Sequence, residues 1–254
     1  LYFSRADLTL GSGGFHRVTA DLNRRVGEDS ALRLNLMNTQ ADNNGLGTAI
    51  DKQGAALNLR LGMGGRDEFQ VSGFWLRHHN GIHYGLPWLR KDSSQASADP
   101  SGLIPGIDPR HSFYGAASDH NDGTAGHLTL AHIHRFGGGS ELKTTLRHGR
   151  YDRDQRASTI RFCVAPTCAG VGTPGATGAV VAGDATPLHR GVQNKVQDLA
   201  ITQLQVDFNR RLEVGGWTHD LQAGLDLEHQ RFNGFATVLP AGVSNSPMML
   251  ARAS

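Results

Sequence analysis

Thirteen histidines are the first side chains in this sequence that could do chemistry. His78, His79 and His83 form a His-His-x-x-x-His run, and His132 and His134 stand at i and i+2. On a strand, adjacent His78 and His79 point to opposite faces and cannot easily share one ion, whereas His132 and His134 share a face. No Cys or carboxylate lies beside that pair at ligand spacing, so no metal site is expected. The stretch 80–122 gathers a second set: His83, Tyr84, Trp88, Arg90, Lys91, Arg110, His111 and Tyr114. Aromatic faces beside guanidinium groups suit a flat-sided polyanion, through stacking and charge complementarity. The plainer role for Tyr84 and Trp88 is to pin the loop itself. Cys163 and Cys168 are separated by four residues, which is a disulfide clip in an exported loop or a thiol pair in a cytosolic one. The small-residue run 170–183 has no Lys-Ser/Thr and no helix after it, so it is a loop tip and not a phosphate cradle. Gly-x-Ser-x-Gly and His-Glu-x-x-His are both absent, and no enzyme is expected.

The elements that must position these residues are strands. Helical periodicity is nearly absent, and alternation with a period of two runs through the chain. Leu32, Leu34 and Leu36 oppose Arg33, Asn35 and Met37; Leu57, Leu59 and Leu61 oppose Asn58 and Arg60. Phe69, Val71 and Trp75 oppose Gln70 and Ser72, and Leu142 and Leu146 oppose Lys143, Thr145 and Arg147. The same holds for 203–210 and 217–228, with 14–23 and 124–135 fitting less cleanly. About eight strands follow, many longer than the usual 5–6 residues and near the roughly 9–11 that cross a bilayer. Connections alternate in length: 24–29, 62–67, 137–140 and 212–216 are short, while 40–52, 80–122 and 154–195 are long. Short turns at one end and long loops at the other mark an antiparallel transmembrane β-barrel. The polar faces carry Arg33, Arg60, Lys143, Arg147, Asp207, Asp226 and Glu228. A dry core would hold those charges at high cost, whereas a wet lumen would not, and the aliphatic face would then meet lipid. An eight-stranded barrel is just wide enough for side chains, so this chain is read as part of a larger one.

Composition narrows the rest. The chain has 254 residues, 33 of them Gly, with 38% hydrophobic and 19% charged residues and a formal net charge of +2. The patterned apolar segments exclude a disordered tail, the aperiodic glycines exclude a collagen, and two cysteines cannot staple a chain this long. No apolar run reaches the roughly 18 residues of a transmembrane helix. The charge balance gives no reason to expect nucleic acid as a partner.

Several stretches resemble the TonB-dependent outer-membrane receptors, in particular the catecholate-type ferric-siderophore branch. Ser4-Arg5-Ala6-Asp7-Leu8-Thr9-Leu10-Gly11-Ser12, followed by Arg17–Arg24, resembles the entry into that family's barrel. Ala31–Asn35 resembles the next strand, Tyr84-Gly85-Leu86-Pro87-Trp88 an extracellular-loop motif, and Ser112-Phe113-Tyr114-Gly115 the site before the following strand. Arg147–Arg153 and Gly224–Glu228 resemble later strands, so the matches span most of 1–231, with nothing in 155–195. The resemblance implies a plug domain inside a barrel of roughly 22 strands in the outer membrane of a Gram-negative bacterium. It also implies import of ferric siderophore with TonB-derived energy. Residues 1–254 are then expected to be a partial barrel domain, with the plug, the C-terminal strands and the N-terminal TonB contact lying elsewhere. The expected partners are a ferric siderophore, the TonB complex and outer-membrane lipid. No cofactor is expected, iron entering only within the substrate.

On this reading Tyr84, Trp88, Arg90, Arg110, Tyr114 and His83 are candidates to contact a ferric catecholate. Arg33, Arg60 and Arg147 line the lumen, and Cys163 and Cys168 form a disulfide. A passive porin-like or small outer-membrane barrel and a soluble β-rich binding module are the alternatives.

Overall fold

The computed structural model describes residues 2–42, 47–86, 108, 111–162, 187–236, 238, 240–241 and 248–250. These form one antiparallel sheet of nine long strands and one short one. The strands are β1 (Phe3–Leu10), β2 (His16–Arg25), β3 (Ala31–Ala41), β4 (Ile50–Leu61), β5 (Asp67–Asn80), β6 (His120–Phe136), β7 (Ser140–Phe162), β8 (Pro187–Val214), β9 (Trp217–Phe235) and β10 (Met248–Leu250). Each strand from β1 to β8 pairs with its sequence neighbour; β8 also pairs with β9 along 196–214 and with β10 at 187–189. Among the described residues there is no helix.

The alternation seen in the sequence is kept in register across the whole sheet. One row reads Leu32, Leu59, Val71, Leu130, Leu146, Leu204 and Leu227, each residue opposite the next on the neighbouring strand. The adjacent row, on the other face, reads Asn23, Arg33, Asn58, Ser72, Thr129, Arg147, Gln203 and Glu228. Because successive side chains point to opposite faces, these rows make one apolar and one polar surface. The apolar surface is open: Leu128 is 50% and Leu227 53% exposed. The buried apolar residues among those described are few (Ala41, Tyr114, Ala131, Ile133, Ala157 and Leu188), and half of them are alanines. A single layer with so little interior has no place to hide its leucines from water, whereas a lipid-facing wall has none to hide.

Turns and strand ends sharpen the picture. The β8–β9 hairpin closes with Gly215 and Gly216 alone, at φ 60° and 81°, as a two-residue turn with two left-handed positions requires. At Gly62 (φ 68°) a Cβ would lie 2.4 Å from the Asp67 carbonyl oxygen, so no other residue closes the β4–β5 turn this way. The short connections expected at 24–29, 62–67, 137–140 and 212–216 fall at strand-to-strand turns. The described residues contain ten strands against about eight expected: β1 adds one whose alternation is weak, and β10 is only three residues long. β7 and β8 also run to 23 and 28 residues, taking in much of the span expected to be loop after 154. Their far ends pass well beyond the roughly 9–11 residues a bilayer needs. No lipid-facing alternation is demanded there, which is why the sequence pattern faded.

A charge placed in the apolar row should be costly and one in the polar row should not. In the full-length protein refolded into lipid vesicles, Leu146→Arg is expected to lower unfolding stability by about 2–4 kcal/mol. Ser72→Arg, in the adjacent row on the opposite face and flanked by uncharged Asn58 and Thr129, is expected to stay within about 0.5 kcal/mol of wild type. Urea unfolding followed by band-shift electrophoresis measures both.

Candidate functional site

Three places on this sheet carry concentrated chemistry: the polar face, its rim at the short turns, and a small cap over the long-connection end. The polar face is lined with ion pairs. Arg33 reaches across to Asp21 with two bonds, Nε to Oδ1 at 3.0 Å and an Nη to Oδ2 at 2.7 Å. Arg5 pairs with Asp7 in the same bidentate way, at 2.9 and 3.0 Å. Arg5, Asp7, Arg17, Asp21 and Asn35 line a shallow concavity of about 350 Å³ on this face. Arg147 makes only a long contact, 3.4 Å, to the Tyr151 hydroxyl. The three arginines expected to line a lumen therefore all lie on the polar face, but Arg33 is neutralised by a carboxylate.

Arg60 is neutralised too, at the short-turn rim. Glu68 is 2% exposed and accepts from Arg60 Nε at 3.0 Å, from Arg135 at 3.0 Å and from the Gly64 backbone N–H at 3.3 Å. Arg135 in turn donates to the Gly65 carbonyl at 2.8 Å and pairs with Glu141 at 3.1 Å. Buried charge is tolerated only with this degree of pairing. The Met63 N–H bonds the Asp29 carbonyl at 2.8 Å, so the rim joins the β2–β3 and β4–β5 turns as well.

At the other end, residues 47–49, 81–86 and 111–119 fold over the tops of β4 to β8. Asp119 is the fastener: its carboxylate accepts from the N–H groups of Ala116 (3.0 Å) and Ser158 (2.9 Å) and from the Ser158 hydroxyl (2.8 Å). Gly81 donates to the Ala49 carbonyl at 2.8 Å; a Cβ there would stand 2.1 Å from the Gly47 carbonyl oxygen. The Phe113 ring packs against the His83 ring at 5.6 Å between centroids. His83 Nε2 lies 3.4 Å from the Ser112 carbonyl, and the Gly85 N–H donates to His83 Nδ1 at 3.1 Å.

The sequence-predicted ligand residues separate here. Tyr84 is 50% exposed at the cap surface. Tyr114 is 2% exposed, and its carbonyl holds Arg190 Nε at 2.9 Å; its ring packs inside the cap and does not present a face to solvent. His83 is occupied by Ser112, Phe113 and Gly85. Trp88, Arg90, Arg110, Cys163 and Cys168 lie outside the described residues. Asp119, Phe113 and Glu68 were missed, because what identifies each is a partner 30 or more residues away or a buried turn, neither of which spacing reveals. Asp67 was missed as well: strand pairing sets it opposite His134, beside the two histidines that the sequence left without a carboxylate.

No family model matches the chain. The catecholate siderophore receptor Fiu of Escherichia coli K12 is 25% identical over 162 residues, covering 61% of this chain and 21% of the receptor. The probable TonB-dependent receptor BfrD of Bordetella pertussis is 26% identical over 232 residues, covering 90% of this chain and 28% of the receptor. The chain is similar in sequence to TonB-dependent siderophore receptors. Solved structures of these receptors share its fold from end to end. The closed form of Fiu superposes with a TM-score of 0.77 at 20% identity, over 100% of this chain and 34% of that one. The ferripyoverdine receptor of the Pseudomonas aeruginosa outer membrane, bound to ferripyoverdine, superposes with a TM-score of 0.72 at 14% identity, over 97% and 30%. The chain thus spans about a third or less of the receptors it matches.

The Asp119 fastener gives a test of the cap. Asp119→Ala removes the acceptor of three hydrogen bonds, two of them from backbone N–H groups, at a local cost of roughly 1.5–3 kcal/mol for each bond to the charged group. Proteolytic nicking at 111–119 should rise more than tenfold in the full-length protein, while the sheet stays intact. Limited proteolysis with mass spectrometry reads both.

Proposed function

We propose that residues 1–254 are part of the barrel domain of an outer-membrane receptor that captures a ferric siderophore of the catecholate class. It imports the complex with energy from TonB. The observation that carries this reading is the pair of adjacent rows, one aliphatic and one charged, running unbroken across a sheet that superposes end to end on ferric-siderophore receptors. Among the described residues, β1 pairs only with β2 and β9 only with β8. An open strand edge is not tolerated in hydrocarbon, so further strands are required to close this sheet. The protein's location is then the outer membrane of a Gram-negative bacterium, its role is transport and not catalysis, and iron is cargo.

Each step has its own candidate residues. Capture belongs to the long-connection end, where Tyr84 offers an exposed ring for stacking against catechol and where the segment bearing Trp88, Arg90 and Arg110 begins. The siderophore fills the iron's coordination sphere, so the protein supplies shape, stacking and charge and no metal ligand. Passage belongs to the polar face. Arg33 and Arg60 there are held by Asp21 and Glu68, so part of the wall offered to an anion carries balanced charge.

Ferric-catecholate binding by the full-length protein tests the capture step. Tyr84→Ala should weaken binding by roughly 5–30-fold, the loss of about 1–2 kcal/mol of aromatic contact. Arg33→Gln should leave it within about twofold, since Asp21 already occupies that side chain. Wild-type affinity in Tyr84→Ala would remove Tyr84 from the site. No binding of any ferric catecholate by the wild-type receptor would overturn the substrate class.

A further inference from the structure

Asp67, His132 and His134 meet on the apolar face of the sheet, at its short-turn rim. Asp67 opens β5 directly after the β4–β5 turn, and His134 lies two residues before the end of β6. Pairing of Asp67 with His134 and of Phe69 with His132 brings the three side chains to one spot. His132 Nε2 lies 2.9 Å and His134 Nδ1 2.6 Å from the same oxygen, Asp67 Oδ1. All three donor atoms lie within 4.8 Å of one another, and all three side chains are partly open to solvent. The rings are braced: Phe69 stacks on His132 at 4.5 Å with 9° between planes, and Phe136 meets His134 edge-on at 4.5 Å. The residues opposite on β7, Thr144 and Leu142, bring no competing charge.

We propose that Asp67, His132 and His134 form a binding site for a borderline divalent transition-metal ion, of the copper, nickel, zinc or cobalt class. Two imidazole nitrogens and one carboxylate oxygen are the donor set such ions prefer. An ion bonded to all three at about 2.0–2.2 Å holds its donors about 3.0–3.5 Å apart, so from 2.9 and 2.6 Å the two hydrogen-bonded pairs need open by roughly 0.1–0.9 Å. Each proton now shared with Asp67 moves to the other ring nitrogen of its histidine or to solvent. Three protein donors leave at least one position for water or for a headgroup oxygen. The site faces away from the charged surface, so it is separate from the route proposed for ferric siderophore. It also does not depend on that cargo. Bound metal would tie β5 to β6 where the sheet meets the interface.

The test uses the full-length, tag-free protein in detergent, stripped with chelator and titrated with Cu²⁺. Wild type should bind one equivalent more tightly than the rest, with a paramagnetic resonance spectrum split by two imidazole nitrogens. His132→Gln/His134→Gln should lose that equivalent, and His219→Gln, on the same face of β9, should keep it. Asp67→Asn should weaken it by about tenfold or more, at least as much as loss of an outer-shell partner costs. Retention of the tight equivalent by the double variant would overturn the proposal. Should the double variant fail to fold, wild-type copper affinity in Asp67→Asn would overturn it equally.

Discussion

A slip of one residue in the pairing of any strand would carry its leucines from one face of the sheet to the other. Everything else in this molecule depends on that not happening. The row from Leu32 to Leu227 crosses seven strands without a break, and the charged row beside it crosses eight. Few buried side chains hold this arrangement, because a single layer has little inside. It is held by backbone ladders, by turns such as Gly215-Gly216 that admit one register, and by the solvent on each side. On the proposed reading, lipid rewards the aliphatic row and water rewards the other.

The charged surface is organised more tightly than a wetted wall needs to be. Arg33 is locked to Asp21, Arg5 to Asp7, and Arg60 and Arg135 share the buried Glu68. The last of these sits where strands turn back, and it joins a side-chain network to backbone groups of the β4–β5 turn. Its consequence is mechanical as well as electrostatic. A paired carboxylate buried between two guanidinium groups resists displacement because unpairing it is costly. The cap at the opposite end uses the same device, with the Asp119 carboxylate gathering backbone N–H groups from two segments.

The strands were legible because a bilayer imposes the simplest of patterns. Leu32-Arg33-Leu34-Asn35-Leu36 reads as a lipid-facing strand with no structure at hand, and the alternation of short and long connections follows from the same constraint. Where the constraint lapses, so does the signal: the upper parts of β7 and β8 stand clear of the lipid, need no alternation, and read as loop. Contacts set by register were not legible at all. Asp67 lies 65 residues before His132, and only the pairing of β5 with β6 puts its carboxylate between the two histidines. Tyr114 lies in a stretch resembling the family and looks from sequence like a partner of Tyr84. One is enclosed and the other exposed because Asp119 folds the 111–119 segment back onto Ser158. The disulfide expected between Cys163 and Cys168 falls outside the described residues.

The claim that one face meets lipid and the other water is tested most directly by a spin-label scan along β7. Single labels would be placed at successive positions from 141 to 148 in a cysteine-free, full-length protein reconstituted in lipid. The account predicts that labels at 142, 144, 146 and 148 collide preferentially with oxygen, which concentrates in hydrocarbon. Labels at 141, 143, 145 and 147 should collide preferentially with a water-soluble nickel chelate, giving a strict period of two. Equal accessibility at odd and even positions, or the opposite phase, would contradict it.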